Sequence, residues 1–183
     1  MKYFKIIILI ILFLFNYKSY AEENTVEILK KNSNIIFIRH SLAPGSGDPE
    51  NIDLKDCNTQ RNLNSEGIKQ SKKIGNFFKK NNIQAEHVFS SNWCRCKDTA
   101  FHAFYSYKTF DALNSFYSKK FYKNKKKQIK KLKKFINDWD NESNLILVTH
   151  YVVIFEILGT SARSGEIIIS NKNFEIIGRL NLE

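Results

Sequence analysis

The sequence predicts an α/β fold, a three-layer α/β/α sandwich built around a mostly parallel sheet. Two short, wholly apolar runs, 35–38 (IIFI) and 145–148 (LILV), have the composition of strands that are buried on both faces. Helical patterns alternate with strand-like segments as far as about residue 159, an order that is typical of a parallel sheet covered by helices.

Short β-prone segments bounded by polar or turn residues predict the strands of this sheet. In chain order they lie at about 34–39, 87–90, 109–110, 144–149, 165–170 and 174–178. The last two are separated only by Asn171, Lys172 and Asn173, so they predict a terminal hairpin.

Apolar residues at helical spacing, together with start and stop signals, predict the helices. Asn64 is a suitable N-cap for the first, and Glu66 places an acid in its first turn. The predicted helices span about 64–80, 92–105, 124–139 and 152–158, the last closed by Gly159. Residues 22–33 predict a frayed or loosely docked N-terminus, and 41–63 form a loop too long to be a simple connector.

The N-terminus has the pattern of a secretory signal peptide. Lys2 and Lys5 precede ten consecutive apolar residues, 6–15, and small residues stand at Ser19 and Ala21. We expect residues 1–21 to be removed after Ala21 and 22–183 to form one domain in the periplasm or outside the cell. An uncleaved membrane anchor is the alternative.

The chain is basic, with a formal net charge of +11, and much of the excess lies in the lysines between Lys119 and Lys134. Such a stretch attracts nucleic acid or anionic lipid, or it is simply a solvated helix face. Lysine dominates over arginine, and no aromatic pattern accompanies it, so we favour the solvated face and expect no nucleic-acid partner. An electrostatic contact with an anionic membrane surface stays open.

Three cysteines, Cys57, Cys94 and Cys96, leave at least one thiol unpaired within a monomer. In an exported protein, Cys57 is expected to bridge either Cys94 or Cys96. The spacing of Cys94 and Cys96 differs from the usual C-x₂-C of zinc sites, and no histidine follows at the sequence spacing that zinc fingers have. We therefore expect no metal site.

Two buried-type strands each end in a histidine, His40 and His150. If these strands are parallel neighbours, both histidines lie at the same sheet edge, where α/β proteins bind ligands. Arg39 and Arg95 add guanidinium groups suited to a tetrahedral oxyanion. An imidazole can attack phosphorus as a nucleophile, so the set predicts phosphoryl chemistry that requires no metal.

Four blocks of the sequence resemble, in the family's own order, the motifs of the histidine phosphatase superfamily, the phosphoglycerate mutase-like proteins. The blocks are 36–41 (IFIRHS), 63–70 (LNSEGIKQ), 90–100 (SSNWCRCKDTA) and 148–150 (VTH). A branch reading APGxGDP, DCxTQRNL and WCRC is similar at 43–49, 56–63 and 93–96. The resemblance implies a phosphoglycerate mutase-like fold over about residues 34–159.

The resemblance also implies roles for individual residues. His40 is the nucleophile that carries the phosphoryl group, and His150 joins Arg39 and Arg95 in holding the phosphate. Arg61 supplies a further phosphate or substrate contact, or is a surface arginine.

Two positions depart from the family pattern. Ser41 replaces the usual glycine after the Arg-His pair, which is harmless unless that position requires a positive φ. The glutamate of the family's L-x-E pattern is missing, because residues 113–115 read Leu-Asn-Ser. Asp48 is the best remaining candidate for the proton donor. Its alternative role is that of a turn residue between Gly47 and Pro49. The competing carboxylates are Asp53, Asp56 and Asp98.

These features together predict an exported, metal-independent phosphatase of the histidine acid phosphatase type, which hydrolyses a phosphomonoester without a cofactor. The missing glutamate argues against a mutase. The expected substrate is a phosphorylated small molecule or an envelope glycolipid. The alternatives are a catalytically inactive phosphate-binding protein and a protein that binds the envelope surface through the same fold.

Overall fold

The computed structural model describes residues 24–140 and 142–182. The predicted signal peptide, residues 1–21, lies outside the described residues. Within the described part of the chain, no helix is long and apolar enough to cross a membrane.

A six-stranded sheet forms the centre of the molecule. Its strands are β1 (Ile35–Arg39), β2 (His87–Ser90), β3 (Lys108–Thr109), β4 (Leu145–Thr149), β5 (Ile167–Ser170) and β6 (Ile176–Leu180). The spatial order is β3-β2-β4-β1-β5-β6, and the first four of these are parallel. β5 runs antiparallel to both β1 and β6. The predicted mostly parallel sheet and the terminal hairpin are both confirmed.

Helices cover both faces of this sheet. They are α1 (residues 24–30), α2 (Ser65–Lys80), α3 (Cys94–Phe104), α4 (Lys119–Tyr122), α5 (Lys125–Asn137) and α6 (Tyr151–Leu158). Side chains alternate across β1, so Ile36 and Ile38 pack in the core beneath α2 and α3. Ile35 and Phe37 pack in the second core, beneath α5 and α6. The three-layer sandwich predicted from the apolar runs is thereby confirmed.

Of the two states expected for residues 22–33, frayed or loosely docked, the described residues show the docked one, as a helix, α1, that packs onto the sheet. Leu29 is fully buried in the core beneath α2 and α3. Two asparagines hold the end of the helix. Asn34 Nδ2 donates to the Ile28 carbonyl at 2.9 Å, and Asn144 Nδ2 donates to the Leu29 carbonyl at 2.9 Å. These bonds satisfy carbonyls that a helix end leaves free.

The loop after β1 begins in tight contact with α2. Asn64 accepts a hydrogen bond from the Gly67 N–H at 2.9 Å and caps the helix, as predicted. A Cβ on Gly67 would lie 2.1 Å from the Leu42 carbonyl oxygen. Only glycine permits this approach, so residue 67 fixes where the chain leaves β1 and enters the site.

Candidate active site

The register of β1 and β4 brings the two histidines together. Arg39 is paired with Thr149 across these parallel strands, and the His40 N–H donates to the Thr149 carbonyl at 2.9 Å. His40 and His150 therefore follow at the same sheet edge, as expected. Their ring centroids lie 5.3 Å apart, and each residue is only 2% exposed.

His40 presents one ring nitrogen to the site. Its Nδ1 lies 2.9 Å from the Ser41 carbonyl, which can only accept a hydrogen bond, so Nδ1 carries the proton. The lone pair is consequently on Nε2, which accepts from Arg95 Nε at 3.2 Å. Burial, reinforced by the charge of Arg95, lowers the pKa of His40 well below its usual value. Neutral His40 with a free pair on Nε2 is the form required for nucleophilic attack.

His150 is oriented by a chain of hydroxyl and amide groups. Its Nδ1 lies 3.4 Å from Arg95 Nη2, a donor, so Nε2 carries the proton and donates to Ser91 Oγ at 3.0 Å. Ser91 in turn donates to Asn114 Oδ1 at 3.1 Å. Burial first, and then the Arg95 charge, lowers the pKa of His150 well below its usual value.

Arg95 is the central cation of the site. It lies in the first turn of α3, is 3% exposed, and contacts both histidines. Its Nη1 and Nη2 also donate to the two carboxylate oxygens of Asp48, at 2.6 Å and 3.0 Å. This two-pronged pairing is the geometry with which an arginine also binds a phosphate.

Asp48 is bound on every side by donors. Besides Arg95, it accepts from the Arg61 N–H at 3.2 Å and from Trp93 Nε1 at 3.1 Å. Burial acts to raise the pKa of Asp48, but these hydrogen bonds and the Arg95 charge outweigh it and hold the pKa below its usual value. In this state Asp48 is ionised and orients Arg95. Its role as proton donor stays a prediction.

Arg39 has a donor without a partner. Its Nη1 donates to the Ala162 carbonyl at 2.7 Å, and its guanidinium lies over the Tyr151 ring at 5.3 Å. Its Nε is buried and makes no hydrogen bond with any described residue. Buried donors are rarely left unpaired, so the orphaned Nε beside His40 points to a ligand acceptor such as a phosphate oxygen.

Arg61 is directed mainly at the loop of residues 41–63. Its Nε donates to the Gly47 carbonyl at 2.8 Å, and its Nη1 donates to the Ala43 carbonyl. Arg61 lines the pocket, but these two donors organise the loop that carries Asp48. Its predicted contact with phosphate stays a prediction.

A pocket of about 590 Å³ opens over these residues. All four residues that the sequence predicts as the phosphate site line this pocket, and so do Asp48 and Arg61. The four are Arg39, His40, Arg95 and His150. The lining also includes Tyr117, Lys119, Lys120 and Tyr151. The volume exceeds that of a phosphate group, so the pocket has room for the group that bears it.

Residues 113–115 bring no carboxylate to the site, and the carboxylates that line the pocket are Asp48 and Glu50. Asn114 is committed to Ser91, and Ser115 lines the pocket. Among the competing carboxylates, Asp53, Asp56 and Asp98 do not line the pocket. Ser41 does not adopt a positive φ, and its hydroxyl accepts from Ser71 at 2.8 Å, which explains why serine is tolerated there.

A disulfide between Cys57 and Cys94 ties the loop to α3, next to Arg95. The sequence leaves open whether Cys57 bridges Cys94 or Cys96, and the structure shows that the partner is Cys94. Cys96 is free and buried, with its Sγ 3.4 Å from His150 Nε2. Burial raises the pKa of the Cys96 thiol to about 12, so this thiol is protonated and unreactive at neutral pH.

Reduction of the disulfide will loosen the loop that carries Asp48 and Arg61. The bridge closes a segment with a sequence separation of 37. Chain entropy for a loop of this length gives about 4 kcal/mol of stabilisation, so the free energy of unfolding should fall by that order. Urea unfolding with and without dithiothreitol measures the loss. The Cys57→Ser/Cys94→Ser variant is the control, and a further effect of dithiothreitol on it would contradict the assignment.

The buried histidines predict that stability falls in acid. In the unfolded chain both protonate near pH 6.5, whereas in the folded protein the pKa values of His40 and His150 are lowered. The unfolded state therefore binds more protons below about pH 6.5, and stability decreases as the pH falls, by up to about 1.4 kcal/mol per pH unit for each histidine. Urea unfolding between neutral pH and about pH 5 tests this. A constant free energy of unfolding over that range would contradict neutral, buried histidines.

The backbone matches solved structures of phosphatases and mutases. Similar structures include the protein histidine phosphatase SixA complexed with tungstate, with 14% identity, a TM-score of 0.56, and coverage of 81% of this chain and 97% of that one. The SixA structure from Agrobacterium tumefaciens is 14% identical, with a TM-score of 0.57 and coverage of 81% of this chain and 97% of that one. Phosphoglycerate mutase from Thermus thermophilus is 14% identical, with a TM-score of 0.58 and coverage of 82% of this chain and 99% of that one.

The chain shares its fold with SixA and with phosphoglycerate mutase. The phosphoglycerate mutase-like fold that the sequence resemblance implied is thus confirmed. The sequence matches no protein-family model and no curated protein. At these identities the likeness concerns the fold alone, so the chemistry depends on the residues at the site.

Sequence reasoning missed several residues that shape the site. Trp93 holds Asp48 and packs its ring 5.2 Å from that of His150. Ser91 and Asn114 orient His150. Trp93 and Ser91 lie inside the 90–100 block, so their proximity to Arg95 was available from the sequence. The position of Asn114 beside Ser91 was not, because it depends on how the chain leaves β3.

Proposed function

We propose that this protein is a histidine phosphatase that hydrolyses a phosphomonoester through a phosphohistidine on His40. The observation that carries the proposal is the buried Arg39 Nε, which has no hydrogen-bond partner among the described residues and belongs to a side chain that lines the same pocket as His40 and Arg95. The fold shared with SixA and phosphoglycerate mutase adds support, because it places these residues at the ligand-binding edge of the sheet.

The proposed reaction has two steps. The lone pair of His40 Nε2 attacks phosphorus, the ester P–O bond breaks, and the leaving oxygen takes a proton. Water then attacks the phosphohistidine, the P–N bond breaks, and phosphate is released. Arg39 and Arg95 stabilise the negative charge on the phosphoryl oxygens in both steps.

Substrate binding has to displace Asp48 from Arg95 or share that arginine with it, because Asp48 occupies both of its terminal nitrogens. A carboxylate displaced from Arg95 loses the contacts that hold its pKa low and is more easily protonated. This exchange is how Asp48 could serve as the proton donor in the first step.

Export to the periplasm or the cell exterior is part of the proposal. The N-terminal pattern of residues 1–21 supports it, and so does the Cys57–Cys94 disulfide, since such bonds persist in oxidising compartments. We propose a phosphorylated small molecule or an envelope glycolipid as the substrate, in keeping with the room in the pocket.

The second candidate is an inactive protein that binds phosphate. The closed Asp48–Arg95 pair and the absence of a carboxylate at residues 113–115 favour it. The deciding experiment is a screen of phosphomonoesters, including p-nitrophenyl phosphate, at acid and neutral pH. Hydrolysis that persists in EDTA supports the phosphatase. Phosphate binding without any hydrolysis supports the alternative.

A further inference from the structure

A basic surface lies on the side of the molecule away from α2 and α3. A shallow groove there is lined by Tyr122, Lys123, Lys125, Lys126, Ile129, Lys130, Lys133 and Glu156. We call Tyr122, Lys123, Lys126, Lys130 and Lys133, with the exposed Phe155 of the adjoining α6, the basic aromatic face. The Lys125–Glu156 ion pair, at 2.8 Å, joins α5 to α6 across the groove.

The described part of the chain supplies no carboxylate partner to the lysines of this face. Elsewhere on α5, Lys131 pairs with Asp111 and Lys134 pairs with Asp138. Among the described residues, no carboxylate forms an ion pair with the lysines of the basic aromatic face. Like charges one helical turn apart repel each other, so an anionic partner at this face would relieve an unfavourable arrangement.

Aromatic side chains accompany these charges in space. Tyr122 is 60% exposed and Phe155 is 57% exposed. Tyr122 comes from α4, within the lysine-rich stretch, whereas Phe155 comes from α6, which is remote from that stretch in the sequence. Lysines beside exposed aromatic rings are the combination that binds the interface of an anionic bilayer, where the rings enter the headgroup region and the lysines meet the lipid charge.

The mouth of the active-site pocket adjoins this face. Tyr151 lines the pocket, and Phe155 follows it by one turn of α6. Lys119 also lines the pocket and lies in the same four-residue helix, α4, as Tyr122. A surface that contacts Tyr122 and Phe155 therefore lies beside the opening that leads to His40.

We infer that the basic aromatic face docks on a bilayer of anionic phospholipid and holds the pocket mouth beside the headgroups. This inference rests on the proposed function, and together they give the substrate class, which is a phosphomonoester carried by an amphiphile in the bilayer surface. Each lysine near an anionic bilayer strengthens binding about fivefold, so loss of three should weaken it by about 100-fold. Salt should weaken it as well.

Orientation is tested by placing a fluorophore on each side of the molecule. Cysteine is introduced in the full chain by Lys123→Cys or, as the matched control on α2, by Lys72→Cys, and is labelled with an environment-sensitive dye. The native cysteines do not interfere, because two are bridged and Cys96 is buried. Both labelled proteins carry the apolar segment 6–15, so a difference between the two positions reports on this face rather than on binding by that segment.

We expect a blue shift at position 123 with vesicles of phosphatidylcholine and phosphatidylglycerol, and none with phosphatidylcholine alone. Position 72 should not respond. Equal responses at both positions, or none at position 123, would overturn the inference. A larger response of position 123 to a single-stranded oligonucleotide than to the anionic vesicles at equal salt would overturn it in favour of nucleic acid.

Charge is tested separately, in labelled Lys123→Cys protein. The substitutions Lys126→Gln, Lys130→Gln and Lys133→Gln should weaken the vesicle response about 100-fold. The matched change Lys72→Gln, Lys73→Gln and Lys79→Gln, on exposed positions of α2, should leave it nearly unchanged. Equal effects of the two triple changes would refute a specific face. Hydrolysis of p-nitrophenyl phosphate by the same proteins reports on the proposed function independently of docking.

Discussion

Replacement of His40 by alanine will lower kcat/KM for p-nitrophenyl phosphate by about 10⁴-fold or more, because it removes the proposed nucleophile, on which both proposed chemical steps depend. His40 Nε2 is the atom that faces Arg95, and its ring is held by the Ser41 carbonyl. Initial rates under identical conditions measure the loss, and wild-type-like unfolding of the variant would show that the fold persists.

The covalent intermediate gives a second measurement of the same prediction. Brief reaction with ³²P-labelled substrate, followed by alkaline quenching, should leave acid-labile label on the wild-type chain and none on His40→Ala. His102→Ala is the matched control, since His102 lies on α3 outside the pocket. Full activity of His40→Ala, or label that survives its substitution, would refute the mechanism.

Replacement of Arg95 by alanine will damage both stability and activity. It leaves the Asp48 carboxylate, whose side chain is 13% exposed, without its cationic partner. Removing one member of a buried pair costs about 3–5 kcal/mol, which urea unfolding should show. Activity should fall by about 10²–10³-fold, the effect of removing a donor to transition-state charge.

A double variant separates the two effects. Asp48→Ala in the Arg95→Ala background removes the uncompensated charge, so stability should recover in part. Activity should stay low, because the Arg95 guanidinium is still missing and Arg39 alone does not replace it at the phosphoryl oxygens. Recovery of activity in the double variant would mean that Arg95 serves only to neutralise Asp48. The single variant Asp48→Ala then shows whether the carboxylate also contributes a proton.

The sequence predicted the layers of the fold for a physical reason. Strands buried on both faces require uninterrupted apolar residues, and the runs at 35–38 and 145–148 have this composition. The same local logic placed the Asn64 cap, and Arg39 and His40 at a strand end. It could not decide whether residues 22–33 are frayed or docked, because α1 is held by Asn34 and Asn144, and Asn144 lies more than a hundred positions away in the chain.

The sequence by itself determined which residues have the chemistry for the site: two histidines after buried strands, and an arginine at a helix start. Only the tertiary structure decided how they are used. It pairs Asp48 with Arg95, bridges Cys57 to Cys94, and leaves the Arg39 Nε without a partner. These outcomes depend on distances between segments that are far apart in the chain. Local pattern and propensity carry no information about such distances, whereas hydrogen bonds and ion pairs depend on them steeply.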